Sequence, residues 1–493
     1  MIRRIYCFLI IMMTSAFVSR AEHYYRLYLK DKPDSFLCNF SDRAEMRRSF
    51  QYIEYDSTDF VVSPLYLDML RSENLKVVVT SRWLNTAVVC SLNGEKIEDD
   101  FWTRFDFVDS VKCVQNDMRQ ESKLRRKTTK VKDEPRTRSL EDNCLIPHRE
   151  IGLNVLHEAG FRGDGKLIAV LDGGFKNVDV LQSINKNVIG WHDMYSPDED
   201  EYMLSEEPHG TQCLSILSAD GSKDLYGAAP ESMYYLIRSE NSLSESPLEE
   251  DMWVAAAEFA DSIGADIISS SLGYLTFDDE SMDHSQDELA KGIVFISRGA
   301  EIATRKGMLV CVAAGNERQT DWGALDFPAD VENVLTVGAS NKDLIPAFFS
   351  SPGFLSPYVK PDVICRGEKA FFVDCETEGV CTGNGTSYAT PLMAGACASL
   401  WSSMPELSSL ELLEIVRKSA RNYSCPDSLG GRGLADIGLA LGYLFEYNSI
   451  DNVEEKVEIE CSSIFDLEGK ILVKKQFGYF TVKNKKLLFV KER

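Results

Sequence analysis

Short apolar runs alternate with helix-like segments over residues 143–445. The runs are rich in Val, Ile, Leu and Ala and are bounded by turn residues, which is typical of buried strands. Between them lie segments such as 252–263, in which apolar residues recur at intervals of three and four. This alternation predicts a three-layer α/β fold, with a mostly parallel central sheet and helices on both faces. The predicted strands fall within 166–172, 232–238, 265–271, 307–316 and 334–340.

Residues 22–140 have a different character and are expected to form a small α+β module that ends in a linker. Strands are predicted at 24–29 and 76–80, where apolar and β-branched residues are concentrated. A helix is predicted over 64–73, with Ser63 as its N-cap and a proline in its first turn. We call residues 22–140, without their linker, the N-terminal module.

The linker at the end of this module is strongly basic. Eight lysines and arginines lie between residues 123 and 138 without an apolar pattern, so this stretch is expected to be exposed. A solvated run of charges is the simplest interpretation, and an interaction with an anionic surface is a second one. The position of the linker between two folded parts favours proteolytic cutting there. After the main α/β region, which we assign to 141–447, residues 448–493 alternate apolar and polar positions and predict a short β-rich tail.

The first residues predict export. Arg3 and Arg4 precede an apolar run of about a dozen residues and then small residues up to Ala21, an order typical of a signal peptide over 1–21. The run is shorter than the roughly 20 residues needed to span a bilayer, and no later run is long enough, so we expect no transmembrane segment in the mature chain. The expected location is the periplasm, the cell surface or the medium.

The net charge of the chain limits the kinds of macromolecule that it can bind. The formal net charge is −24 and the pI is about 4.8. Nucleic-acid binding requires basic surface to contact phosphates, so a chain this acidic is not expected to bind nucleic acid.

Two polar residues stand where an α/β sheet would expose them. Asp172 ends an apolar run and is followed by two glycines, and His209 opens a helical pattern in the sequence HGT. Either residue alone has an ordinary explanation, a turn-forming aspartate or a loop histidine. Together they favour a histidine base that is oriented by a carboxylate.

Two further residues complete a set that acyl transfer requires. Ser387 follows two glycines at the start of a small-residue helical pattern, and Asn316 ends an apolar run in the sequence AAGN. The serine could be a helix cap and the asparagine a turn residue. With Asp172 and His209 upstream, they are candidates for the nucleophile and for an oxyanion donor.

The order Asp172, His209, Asn316, Ser387, within DGGF, HGT, AAGN and GTSYATP, resembles the subtilase family of serine peptidases. The resemblance implies a subtilisin-like fold and a serine endopeptidase acting on polypeptides. It also implies the roles of base-orienting carboxylate, base, oxyanion donor and nucleophile, in that order. Gly173 departs from the family, which more often has Ser, Thr or Ala there. The implied walls of the substrate cleft are Ser271, Leu272, Gly273, Ala313, Ala314 and Gly315.

The flanking segments carry weaker resemblances. The N-terminal module is similar to the propeptides of secreted subtilases of the Bacteroidetes group, which implies a zymogen whose own propeptide occupies the cleft. The tail loosely resembles C-terminal sorting domains of that group, and a plain β appendage is the alternative. A catalytically inert binding protein of the subtilase fold is the alternative function. The chemistry requires no metal or other cofactor; the family allows a structural calcium, for which no ligands can be named.

The cysteines give one more expectation. Cys213, Cys311 and Cys397 lie in apolar runs and are expected to be buried. Cys375 and Cys381 are the strongest candidates for a disulfide, because export permits disulfides and the two lie close together in the sequence.

Overall fold

The computed structural model describes residues 23–33, 37–116, 144–197 and 201–448, and the backbone of the strands at 456–465, 471–483 and 486–491. The predicted signal peptide and the basic linker lie outside the described residues. No helix in the described part of the chain combines the length and apolar character needed to cross a membrane.

The N-terminal module is built on a four-stranded antiparallel sheet in the order β2-β3-β1-β4. The predicted strand at 24–29 and the predicted helix at 64–73 are both present. The helix differs in one detail, because the Ser63 side chain makes no capping hydrogen bond. The elements are β1 (Tyr24–Leu29), β2 (Leu75–Ser81), β3 (Thr86–Ser91) and β4 (Val108–Gln115), the α-helices Asp42–Phe50 and Pro64–Ser72, and the 3-10 helices Ser57–Asp59 and Asp99–Arg104.

A seven-stranded parallel sheet forms the centre of the main region, as the sequence predicts. Its order is β11-β10-β9-β8-β5-β7-β6. Each predicted strand is present, and two short strands, β6 and β11, were not predicted. The strands are β5 (Leu167–Asp172), β6 (Val188–Asp193), β7 (Met233–Arg238), β8 (Ile267–Ser270), β9 (Leu309–Ala313), β10 (Leu335–Ser340) and β11 (Val363–Arg366).

Helices cover both faces of this sheet, so that alternate residues of one strand enter two separate cores. Ile168 and Val170 of β5 pack in the core around the Thr386–Ser403 helix, whereas Ala169 and Leu171 pack in the core around Leu248–Ile263. This double burial explains why the strands are apolar throughout. The helices of the region are Ile146–Glu150, Leu153–Glu158, Gln182–Asn185, Glu201–Ser205, His209–Ser218, Leu248–Ile263, Phe295–Arg305, Thr386–Ser403, Ser409–Ser419 and Ile437–Asn448, with 3-10 helices at Glu280–Met282 and Gln286–Glu288.

Buried ion pairs join the N-terminal module to the Leu248–Ile263 helix, which we call the acidic helix. Arg26 binds Asp251 through both carboxylate oxygens, at 2.7 and 2.6 Å. Arg48 and Arg82 both reach Asp261, each at 2.8 Å. These groups are buried on both sides. Charges removed from water in this way must be matched by partners, so the two parts are complementary in charge as well as in shape.

The remaining strands form two small antiparallel sheets. A hairpin of β12 (Ala370–Val373) and β13 (Val380–Gly383) precedes the Thr386–Ser403 helix. Cys375, in the turn of this hairpin, is a free thiol, so the candidate disulfide with Cys381 is not present. The tail is a three-stranded sheet, in line with its predicted β-rich character, of β14 (Lys456–Phe465), β15 (Ile471–Lys483) and β16 (Lys486–Lys491).

Candidate active site

The predicted site residues gather at the carboxyl ends of three neighbouring strands, β5, β8 and β9. Asp172 is the last residue of β5, residues 271–273 follow β8, and 314–316 follow β9. Because parallel strands end at the same edge of the sheet, these segments line one crevice, where α/β folds bind their ligands.

Asp172 and His209 form a close hydrogen-bonded pair. The Nδ1 atom of His209 lies 2.9 and 3.0 Å from the two carboxylate oxygens of Asp172, which is only 1% exposed. His209 opens the His209–Ser218 helix, and Gly210 lets that helix approach β5. A Cβ atom on Gly210 would lie 2.4 Å from the Gly174 carbonyl oxygen and 2.9 Å from the Asp172 Cβ. The glycine of HGT is therefore required for the pair to form.

The surroundings of His209 favour its charged form. Burial of the ring would lower its pKa, but the Asp172 carboxylate and the nearby Cys213 sulfur outweigh burial and raise the pKa of His209 well above its usual value of 6.5. The ring stays accessible from the crevice, since 25% of the side chain is exposed. A proton accepted by His209 is thus stabilised in place.

Ser387 lies in the first turn of the Thr386–Ser403 helix, one residue after its start. Its carbonyl oxygen accepts hydrogen bonds from Ser271 Oγ at 2.7 Å and Cys213 Sγ at 3.4 Å, which fixes the backbone of the serine beside the histidine. Its own hydroxyl donates to the Ser271 carbonyl oxygen at 3.4 Å. Among the described residues it makes no hydrogen bond to His209, so the hydroxyl must rotate before that contact can form.

Asn316 lies three residues beyond β9 rather than at its end. Its Oδ1 atom accepts hydrogen bonds from the backbone N–H of Thr386 at 3.0 Å and from the Thr386 hydroxyl at 3.2 Å. With the carbonyl side of the amide held in this way, the Nδ2 group is the side of the amide that is left to donate, an assignment that follows from the hydrogen bonds. Thr386, which the sequence analysis did not single out, is therefore the residue that orients the amide.

The predicted cleft walls follow β8 and β9. Ser271 contacts Ser387 as described, and Leu272 turns its side chain into the core of the acidic helix. Gly315 donates its N–H to the Thr386 hydroxyl at 3.2 Å. Both walls thus touch the turn that carries the serine.

Three acidic or sulfur groups that lie near the site were not among the predicted site residues. Cys213 lies one helical turn beyond His209, with Sγ 3.9 Å from Nε2. Glu207 packs against Gly173 and Gly174, and burial together with the charge of Asp172 raises its pKa. Asp326 lies against both Gly273 and Gly315. The spacing of four residues between His209 and Cys213 within one helical pattern could have indicated the first contact. The contacts of Glu207 and Asp326 leave no local signal, because they depend on the packing of separate segments.

One group of side chains in the described part of the chain could supply three ligands to a metal ion. It consists of Asp172, His209 and Cys213, whose ligand atoms lie within 4.8 Å of one another. The carboxylate and the ring nitrogen of this group are the same ones that form the hydrogen-bonded pair.

Cys213, Cys311 and Cys397 are buried, as expected.

Comparison with known proteins identifies the family. Residues 163–436, more than half of the chain, match the sequence model of the subtilase family, peptidase S8. The chain belongs to the subtilase family. Residues 24–132 match the propeptide domain of peptidase S8 proteins of Bacteroidota. The N-terminal module is therefore a subtilase propeptide domain, as its resemblance implied.

Individual subtilases are distant relatives. Subtilisin of Bacillus pumilus is 26% identical over 294 residues, which cover 59% of this chain and 96% of that protein. Serine protease AprX of Bacillus subtilis (strain 168) is 26% identical over 294 residues, and the match covers 54% of this chain but only 63% of AprX. The fold is similar to that of the epidermin leader peptide processing serine protease from Staphylococcus aureus, with a TM-score of 0.57, 17% identity and coverage of 86% of this chain and 98% of that one.

Proposed function

We propose that this subtilase is a serine endopeptidase that cuts polypeptides through an acyl-enzyme on Ser387. The observation that carries the proposal is the Asp172–His209 pair at 2.9 Å in the same crevice as the Ser387 hydroxyl and the Asn316 amide. Acyl transfer needs a nucleophile, a base, a group that orients the base and a donor for the oxyanion. The four residues supply these roles at strand ends and helix starts, which hold them rigidly.

In the proposed reaction His209 accepts the proton of Ser387 as the hydroxyl oxygen attacks the substrate carbonyl carbon. Asp172 keeps Nδ1 as the donor and stabilises the charged ring. The oxyanion is held between the Nδ2 group of Asn316 and the backbone N–H of Ser387, which lies in a first helical turn where donors lack intrahelical acceptors. The carbon–nitrogen bond then breaks as His209 protonates the leaving amine. Water next attacks the acyl carbon while His209 accepts a proton from it. The bond between the acyl carbon and Ser387 Oγ then breaks as His209 returns the proton to that oxygen, which releases the acid product and restores the serine.

Rotation about one side-chain bond of Ser387 is needed to start this sequence, because its hydroxyl now faces the Ser271 carbonyl. Such loose contacts are common in sites without substrate and tighten when one binds. A bound peptide backbone would compete for this carbonyl, as edge-binding peptides do. Substrate binding would thus release the hydroxyl toward His209.

We further propose that the protein is made as a zymogen, with 1–21 as signal peptide, 22–140 as propeptide and linker, 141–447 as peptidase domain and 448–493 as tail. The contacts at the end of β4 support this. Gln115 accepts a hydrogen bond from Ser246, and Asn116 donates one to Asp279 at 2.8 Å. The last described residues of the propeptide domain thus contact the peptidase domain at Asp279, six positions after Gly273 in the sequence.

Processing of the full chain tests both parts of the proposal. We expect the wild-type chain to shed its N-terminal region and to cleave a mixed peptide library, and Ser387→Ala to do neither. Ser402→Ala is the matched control, since Ser402 lies on the same helix and its hydroxyl donates to a carbonyl of that helix. A folded wild-type chain that binds peptides without turnover would instead favour the inert binding protein. Export is tested by sequencing the N-terminus of the secreted product.

A further inference from the structure

Asp326 lies where the two walls of the cleft meet. Its backbone N–H donates to the Ala314 carbonyl at 3.3 Å, on the wall after β9. The next residue, Phe327, exchanges two backbone hydrogen bonds with Tyr274, at 2.9 and 3.1 Å, on the wall after β8. Backbone contacts thus hold the residue on both sides and fix the position of its main chain.

The carboxylate of Asp326 lies in the space beside Gly273 and Gly315, which is available because neither residue has a side chain. A Cβ atom on Gly273 would lie 2.6 Å from the Asp326 Cβ and 2.8 Å from its Oδ2. A Cβ atom on Gly315 would lie 2.5 Å from its Cγ, and the φ of +100° at Gly315 itself requires glycine. Asp326 is 8% exposed, so the carboxylate is mostly, but not wholly, removed from solvent.

This point of the cleft is tied directly to the nucleophile. Gly315 donates to the Thr386 hydroxyl at 3.2 Å, one residue before Ser387, and the Ser271 carbonyl lies 3.4 Å from the Ser387 hydroxyl. The substrate residue that supplies the attacked carbonyl, the P1 residue, must lie within reach of this hydroxyl. A side chain from that residue that enters between the two glycines meets the Asp326 carboxylate.

We propose that Asp326 makes the enzyme prefer Lys or Arg at P1, an inference that rests on the proposed peptidase function. A cationic side chain would form a charge-assisted hydrogen bond with the carboxylate in a mostly buried setting. An apolar side chain in the same place would displace the remaining solvent from the carboxylate and supply no opposite charge. The resulting desolvation of the carboxylate is unfavourable. An acidic side chain would be repelled.

The chain itself contains substrate sequence of this kind. The linker that separates the propeptide domain from the peptidase domain carries eight lysines and arginines between residues 123 and 138. A preference for basic P1 residues therefore assigns maturation to this stretch of the chain. The mature N-terminus is expected to follow a lysine or an arginine.

Two peptides that differ only at P1, arginine in one and its neutral isostere citrulline in the other, test the preference. The full chain is expressed, allowed to process and assayed for kcat/KM on both. We expect the wild type to favour arginine by about 10- to 100-fold, as one charge-assisted hydrogen bond supplies. Asp326→Asn should bring the ratio close to one. Asp321→Asn, which removes an exposed carboxylate from the same loop, should keep the wild-type ratio.

The outcomes separate this inference from the proposed function. Labelling of Ser387 by a fluorophosphonate reports the nucleophile whatever the P1 preference. A labelled wild type with an arginine-to-citrulline ratio near one overturns the inference and leaves the peptidase function standing, as does an unchanged ratio in labelled Asp326→Asn. An unlabelled wild type that cuts neither peptide overturns both. If Asp326→Asn does not fold, the wild-type ratio and the smaller variant Asp326→Ser decide.

Discussion

Replacing Arg26 by Met should weaken the hold of the propeptide domain on the peptidase domain. Arg26 is 1% exposed, binds both oxygens of Asp251 and donates to the Pro247 carbonyl at 3.2 Å. Its guanidinium carbon also lies 3.5 Å from the centre of the Phe295 ring. Methionine keeps the apolar contacts and leaves the buried Asp251 carboxylate without its cation.

Removing one partner of a buried ion pair costs about 3–5 kcal/mol, which corresponds to a rise in dissociation constant of roughly 200- to 5,000-fold. The structure favours the lower end of that range. Burial already raises the pKa of Asp251 to about 6, against the opposing effect of Arg26, so the carboxyl can take up a proton near neutral pH once Arg26 is gone.

The assay is the affinity between residues 22–140 and residues 141–493, co-expressed as two chains with Ser387→Ala to prevent cutting. Arg71→Met is the matched control, because Arg71 pairs with Asp68 on the surface and such pairs contribute little. Pairing Arg26→Met with Asp251→Leu should recover much of the loss, since no buried charge is then left alone. A change of less than about threefold for Arg26→Met alone would refute this account of the interface.

Three further predictions concern the site. Asn316→Ala should lower kcat about 10²- to 10³-fold with little change in KM, the magnitude known for the equivalent change in subtilisin. Steady-state measurement of kcat and KM tests this, and a much smaller loss of kcat would contradict the role of Asn316 as oxyanion donor. The base must be neutral to accept a proton and the pKa of His209 is raised, so kcat/KM should rise with pH through an inflection above 6.5. Asp172→Asn should move that inflection to lower pH. An unchanged inflection in this variant would contradict the pairing of His209 with Asp172. Gly210→Ala should lower kcat, because the added methyl group would force His209 away from Asp172. Gly442→Ala is the control and should leave kcat unchanged, because Gly442 has open space around it. Equal kcat values for the two variants would contradict the need for glycine at position 210.

The strands and the four proposed catalytic residues could be predicted because their signals are local. Strands buried on both faces must be apolar throughout, so β5 and β9 stand out in the sequence. Asp172, His209, Asn316 and Ser387 each occur with small neighbours that the close approach of backbone segments requires, as the contacts of Gly210 illustrate. Short-range sequence patterns record such requirements directly.

Contacts between distant segments could not be predicted in the same way. Arg26 and Asp251 lie 225 positions apart, and the sequence shows only a basic residue in a strand and an acidic one in a helix. From the sequence alone, Asp326 is an ordinary loop carboxylate. In the fold, the Phe327–Tyr274 pairing places it against both Gly273 and Gly315. The candidate Cys375–Cys381 disulfide is absent for a related reason, because proximity in sequence does not give two side chains the geometry that a disulfide needs.

Reaction of the processed protein with a fluorophosphonate, followed by digestion and mass spectrometry, tests the central claim most directly. An activated serine forms a stable phosphonyl adduct, and activation requires the neighbouring base. We expect one adduct, on the peptide that contains Ser387, which is lost in Ser387→Ala and forms much more slowly in His209→Ala. A folded wild-type protein without an adduct at Ser387, or one labelled equally fast after His209→Ala, would contradict the proposed mechanism.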